Sequence, residues 1–245
     1  MSKHNKWSQI KRKKAVTDQK KGQAFTKLSK LITVAAKEAG GDPDTNASLA
    51  LFIQKAKAVN MMKDLIDRAI KKGTGEAGAA LDIQEVIYEG YTPHGVAVIV
   101  RTLTENRTRT VANIRHVFSK HGGSLGDIGT VSYLFQKKGL ITLCFPREKI
   151  EEIELTLIDA GAEDFEVDEE GKLQCIVLPT DLHKVKKSVE NISGVQVEDM
   201  TISYLPTMEH TLASQEQIDE VLDFLELVEE DEDVDELFTN MKVEI

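Results

Sequence analysis

The chain has 245 residues, 41% of them hydrophobic and 29% charged, which excludes wholesale disorder and leaves room for one large domain or two to three small ones. Its formal charge is −10, yet 17 of its 31 Lys and Arg, and only 7 of its 41 Asp and Glu, lie in residues 1–80. No stretch approaches roughly 18 consecutive apolar residues, so no membrane span is expected. Cys144 and Cys175 lack metal-ligand spacing and read as buried, reduced thiols of a cytoplasmic protein.

Residues 1–30 carry Lys3, Lys6, Lys11, Arg12, Lys13, Lys14, Lys20, Lys21, Lys27 and Lys30 against one acid, Asp18, and include the only tryptophan, Trp7. Ordinary surfaces mix the two signs. Segregated cations suit a polyphosphate, because each one that neutralises a phosphate releases a counterion. A solubilising tail or a plain exposed helix face would have the same composition. Trp7 either stacks on a base or packs against the helices that follow. From Phe25, apolar residues at steps of three and four (Leu28, Ile32, Ala35, Ala39) mark a helix ended by Gly40-Gly41. Asp42 to Asn46 offers caps for a second helix, with Leu49, Phe52, Ile53 and Ala56 inward. Asn60 is the expected cap of a third, which buries Leu65, Ile66, Ala69 and Ile70 and closes at Gly73 after Lys71 and Lys72. Gly73–Ala80 reads as a linker.

From Asp82 the period changes to two. Val86 and Tyr88, then Val96, Val98 and Val100, flank Gly90 to Gly95 as strand, turn and strand. A helix from Thr108 turns Val111, Ile114, Val117 and Phe118 inward, and Val131–Phe135 reads as a strand. Leu140–Phe145, Glu148–Asp159, Asp164–Val167, Leu173–Leu178, Asp181–Asn191 and Val195–Tyr204 then alternate as βαββαβ, a ferredoxin-like order. Its first and third strands are neighbours, which would place both cysteines centrally. Ser214 to Phe238 reads as one helix. The predicted fold class is α+β: a basic three-helix domain (1–80), an α/β domain (81–136 plus 206–245), and a ferredoxin-like domain (137–205) inserted in it.

Signatures of catalysis are missing. There is no Gly-rich phosphate loop with its lysine, no nucleophile elbow and no zinc-binding helix, so no catalytic residue, metal, cofactor or small-molecule substrate is expected. A second basic island, Arg107, Arg109 and Arg115 with His116, Lys120 and His121, lies in the acidic two-thirds. Arg107 and Arg109 begin a helix, where the dipole disfavours cations. They read either as a phosphate perch, if the backbone amides there also face outward, or as partners of acidic-tail carboxylates. The central strands of the ferredoxin-like unit lack the aromatics that stack RNA bases, so that unit is expected to bind protein or the rest of the chain. The acidic run Glu226–Glu236 reads as a solvated helix face, or as a segment that repels phosphate or competes for the basic arm.

Taken together, Lys6-Trp7-Ser8-Gln9-Ile10-Lys11, Gly40-Gly41-Asp42-Pro43-Asp44, Arg68-Ala69-Ile70-Lys71-Lys72-Gly73-Thr74-Gly75, Tyr88-Glu89-Gly90-Tyr91, Asn106-Arg107-Thr108-Arg109-Thr110 and Val131-Ser132-Tyr133-Leu134-Phe135 resemble the YebC/PmpR family, over nearly the whole chain. The resemblance implies a helical N-terminal domain and two α/β domains, without catalytic residues. For many bacterial members it implies DNA-binding transcriptional regulation; for others, action on the ribosome during translation. Ala47, Ser48, Ala50, Met62, Leu65 and Ile128 depart from the family's usual residues. The expected partner is therefore nucleic acid, either DNA or ribosomal RNA, held by Lys3, Lys6, Trp7, Lys11, Arg12, Lys13, Lys14, Lys20, Lys21, Lys27, Lys71, Lys72, Arg107, Arg109 and Arg115. A protein-binding adaptor using the acidic domains is the further alternative. With no paired recognition helix or half-site symmetry visible, the chain is expected to be a monomer.

Overall fold

The computed structural model describes residues 18–76, 78, 82–168 and 171–242. Its contacts divide the chain into two compact units, Leu134–Glu209 and the residues before Leu134 joined with those from His210 onward.

In the second of these units, α1 (Asp18–Ala39), α2 (Ala47–Ala58) and α3 (Lys63–Thr74) form a bundle around Ile32, Ala35, Ala36, Leu49, Ala56, Ile66 and Ala69. Asn46 fastens its corner. The Asn46 side chain accepts from the Leu49 amide at 3.0 Å as the cap of α2, and donates to the Ala35 and Gly40 carbonyls, both at 2.8 Å. Asn60 does not cap α3 as expected. It takes a left-handed conformation (φ 60°) in the turn, and Met62 stands at the cap position without a side-chain bond. Helices α1 and α3 approach so closely that a Cβ on Gly73 would lie 2.3 Å from the Thr33 carbonyl oxygen.

The same unit continues with β1 (Gln84–Tyr91), β2 (Ala97–Thr104), α4 (Arg107–Lys120) and β3 (Ser124–Gly126). Beyond the other unit it resumes, and the sheet order is completed from the C-terminal end of the chain. Leu134–Glu209 intervenes in the chain as the other unit. It contains β4 (Phe135–Cys144), α5 (Ile150–Ala160), β5 (Asp164–Val167), β6 (Leu173–Val177), α6 (Leu182–Glu190) and β7 (Gln196–Pro206). Its sheet runs β5-β6-β4-β7 with every neighbouring pair antiparallel, the ferredoxin-like arrangement expected. The helices cover one face through Ile141, Leu143, Ile153, Leu157, Leu173, Cys175, Val185 and Val189. Cys175 is fully buried opposite Ile141, and burial pushes its thiol up to about 12. Cys144 is a correction: at the end of β4 it is half-buried, with its sulfur 3.5 Å from a Glu198 oxygen.

From His210 the chain forms β8 (His210–Thr211), α7 (Gln215–Glu229), β9 (Val234–Thr239) and β10 (Met241–Lys242). The larger sheet of this unit is β3-β1-β2-β9. Helices α4 and α7 cover one face, where the rings of Phe118 and Phe224 meet edge to face at 5.0 Å over Val98, Val100 and Leu237. Two expectations fail here. The tail is not helical to Phe238, because β2 is an almost wholly buried strand whose second edge needs a hydrogen-bonding partner, and Val234–Thr239 supplies it. Nor is Val131–Phe135 a strand: Ser132–Leu134 is a helical turn, and one long strand runs from Phe135.

Helix propensity alone favours Gly73→Ala by about 1 kcal/mol. The contact with the Thr33 carbonyl reverses the sign, so thermal and urea melts should find the variant less stable by about 1–3 kcal/mol. A stabilised variant would mean that the helices are not so close.

Candidate nucleic-acid interface

Gln23, Lys27 and Lys30 stand four and three residues apart on α1 and so share one face. That face meets the C-terminal end of α7, whose last carbonyls have no partners within their own helix. The Gln23 side-chain amide donates to the Glu230 carbonyl at 3.2 Å, and Lys27 Nζ to the Glu229 carbonyl at 3.2 Å. Lys30 Nζ donates to the Glu232 carbonyl at 2.9 Å and to Asp233 Oδ1 at 2.6 Å. Cations at a helix C-terminus also complement its dipole.

Asp233 is 1% exposed and gathers the rest. Arg109 spans both of its oxygens at 3.0 and 2.8 Å, and the Thr110 hydroxyl donates to Oδ2 at 2.8 Å. Burial pushes this carboxyl up, but the bonds from Lys30, Arg109 and Thr110 outweigh it and hold the group below the usual carboxylate range. Neighbouring acids are also engaged. Arg101, mostly buried beside the Phe238 ring, pairs with Asp235 at 2.8 Å and Glu236 at 2.6 Å, and Asn113 donates to Asp231 at 3.0 Å.

Of the readings open for the acidic run, the one in which it engages the basic segment is met: residues 229–233 are the internal partner of one end of that segment. Two expected site residues are engaged internally, and for Arg109 this is the pairing with acidic-tail carboxylates left open by the sequence. Lys27 and Arg109 belong to this clamp, the physical reason being that a buried carboxylate and a helix end both demand partners nearby. The phosphate perch at the start of α4 is altered as well. The Asn106 side chain accepts from the Arg109 amide at 3.1 Å, so the helix caps itself.

The remaining expected residues fall into two groups. Lys3, Lys6, Trp7, Lys11, Arg12, Lys13 and Lys14 lie outside the described residues, as do the side chains of Lys20 and Lys21. Lys71, Lys72, Arg107 and Arg115 are exposed, and among the described residues no carboxylate pairs with any of them. Arg115 shares its stripe of α4 with Thr108, Ala112 and Ser119, all exposed and short, so a polymer backbone can come close beside it. Arg68, also exposed, sits three and four residues before Lys71 and Lys72 and makes a cationic corner at the end of α3. The sequence reading passed over Arg68, although this spacing was the signal for it.

Among the described residues no cluster of His, Cys, Asp and Glu is arranged to hold a metal ion, and no helix is long and apolar enough to cross a membrane.

Residues 5–76 match the sequence profile of the TACO1/YebC protein N-terminal domain, and residues 83–241 that of the TACO1/YebC second and third domain. The chain is 45% identical to a "Probable transcriptional regulatory protein" of Thermotoga petrophila, covering 100% of this chain and 95% of that one. It is 42% identical to a protein of the same description from Persephonella marina, covering 99% and 96%. The crystal structure of a conserved hypothetical protein from Aquifex aeolicus superposes with a TM-score of 0.80 at 40% identity, over 98% of this chain and 97% of that one.

Asp233→Asn leaves Lys30 and Arg109 facing a neutral group and should cost about 3 kcal/mol of stability. Because the carboxyl is depressed in the folded state, its contribution is complete above the unfolded aspartate value of about 4 and is lost as pH falls through the lower folded-state value. Urea melts across that acid window should show a limb in the parent that the variant lacks. Equal acid sensitivity in the two proteins would remove Asp233 from this role.

Proposed function

The chain belongs to the TACO1/YebC family, and from that premise we propose that it is a nucleic-acid-binding regulator of gene expression, acting on DNA as a transcriptional regulator. The observation that carries this reading is the division of its cations. Lys27, Lys30, Arg101 and Arg109 are spent on internal carboxylates and carbonyls, while Arg68, Lys71, Lys72, Arg107 and Arg115 stay exposed in the same compact unit. Exposed cations without internal partners are what a phosphodiester chain requires, and Lys3 to Lys14 add to them in sequence. The acidic remainder of the protein repels the same polymer, so docking is one way round.

Phosphate contacts position a protein without reading sequence. The same surface therefore suits structured RNA, including ribosomal RNA, as a second reading. Binding to duplex DNA and cosedimentation with ribosomes, measured side by side, separate the two.

Affinity for duplex DNA should fall steeply with salt, with a slope of log K against log[salt] of about −5 if roughly six phosphates are neutralised. The double change Lys71→Ala, Lys72→Ala should weaken binding and make that slope shallower by about 2. Lys27→Ala should lower the melting temperature while leaving the slope alone. If the Lys71, Lys72 variant keeps the parent slope, α3 is not at the interface.

A further inference from the structure

The most exposed large apolar side chain among the described residues is Ile128, at 91%. A single exposed hydrophobic residue is ordinary; its mounting here is not. The Thr130 amide donates to the Asp127 carbonyl at 3.1 Å, closing a turn with Ile128 and Gly129 at its two central positions. Gly129 has φ +96°, as the second central residue of a type II turn requires. At Gly126 a Cβ would lie 2.3 Å from the Thr130 hydroxyl oxygen, so the entry to the turn is equally restricted.

The turn is then braced from inside. Glu89, on β1 and 4% exposed, accepts from the Gly129 amide at 3.0 Å, the Val131 amide at 2.8 Å and the Ser132 amide at 2.9 Å. Val131 is fully buried beneath it. Burial pushes the Glu89 carboxyl up, but these three amides prevail and keep it below the usual carboxylate range. Tyr91 ties the same segment, donating to the Thr130 carbonyl at 3.4 Å, and the nearby Tyr133 is 69% exposed. The result is a fixed turn with an aliphatic side chain at its apex and an exposed ring at its base.

We propose that Ile128, at the apex of this braced turn, is an apolar wedge that enters a base step of the bound nucleic acid. The inference rests on the nucleic-acid reading above and names the part of the surface that touches bases. The turn carries one charge, Asp127, so it is no phosphate clamp, and what it offers a polymer is apolar surface. Rigid aliphatic side chains inserted between bases unstack a step and bend the helix, which lets more of the protein reach the backbone. The turn follows α4, the helix that presents Arg115, by way of β3, which is paired to β1, so turn and cation belong to one compact unit.

The test uses the full chain with two probes, a short DNA duplex and an RNA stem-loop, each carrying a fluorescent adenine analogue whose emission is quenched by stacking. The parent protein should raise the emission of one probe on binding, and which probe responds tells DNA from RNA. Ile128→Ser, at a site so exposed that folding is indifferent to it, should lose the emission rise and bind roughly tenfold more weakly, with an unchanged salt slope. Ile128→Phe should keep the rise. If Ile128→Ser binds as tightly and brightens the probe as much as the parent, the wedge is refuted while the nucleic-acid reading stands. If the parent binds neither probe at low salt, the nucleic-acid reading itself falls, and the wedge with it.

Discussion

The buried carboxylate of Asp233 is the constraint on which the charged half of this protein depends. Removing a charge from water costs several kcal/mol, and only close, well-aligned partners offset that cost. Asp233 obtains Lys30 from α1, Arg109 and Thr110 from α4, and its own position from the turn between α7 and β9. Three segments separated by up to 203 residues in the chain are thereby held to one point. A helical bundle that composition alone would leave as a detached basic module is in fact anchored to the α/β layer.

Anchoring decides which cations remain for a partner. Along α1 the face with Gln23, Lys27 and Lys30 is consumed by the end of α7, and along α4 Arg109 is consumed by Asp233. Arg115 on α4 and Lys71 and Lys72 on α3 escape, because they are exposed and form no ion pair among the described residues. The internal pairs therefore do two things: they neutralise an acidic segment that would oppose a polyanion, and they fix the helices that present the exposed cations. Glu89 repeats the principle with backbone donors. A buried carboxylate fixes whatever satisfies it, here the turn that carries Ile128.

Much of this was legible in the chain. The three helices showed in the spacing of Phe25, Leu28, Ile32 and Ala35 and of Leu65, Ile66 and Ala69, since one apolar face at a period near 3.6 has few other uses. The ferredoxin-like order of strands and helices from Leu140 onward was equally plain, because strands and helices there differ in both length and period. The strand Val234–Thr239 was not. Its adjacent Leu237 and Phe238 break the alternation and extend the helical pattern of Val221, Leu225 and Val228 by accident. The indirect sign was β2, whose apolar run on both faces suits an interior strand, and it is paired on both edges.

The sequence by itself determined the local elements and the polarity of charge from one end to the other, because both depend on residue type and spacing along a single stretch. Which of the basic residues face outward was settled only in three dimensions. Lys27 and Lys71 are the same side chain on similar helices. One meets the carbonyls at the end of α7 and the other forms no ion pair among the described residues, owing to contacts between segments some two hundred residues apart. Short-range pattern carries no record of such partners, since the desolvation that forces a buried acid to find them arises only when the chain closes around it.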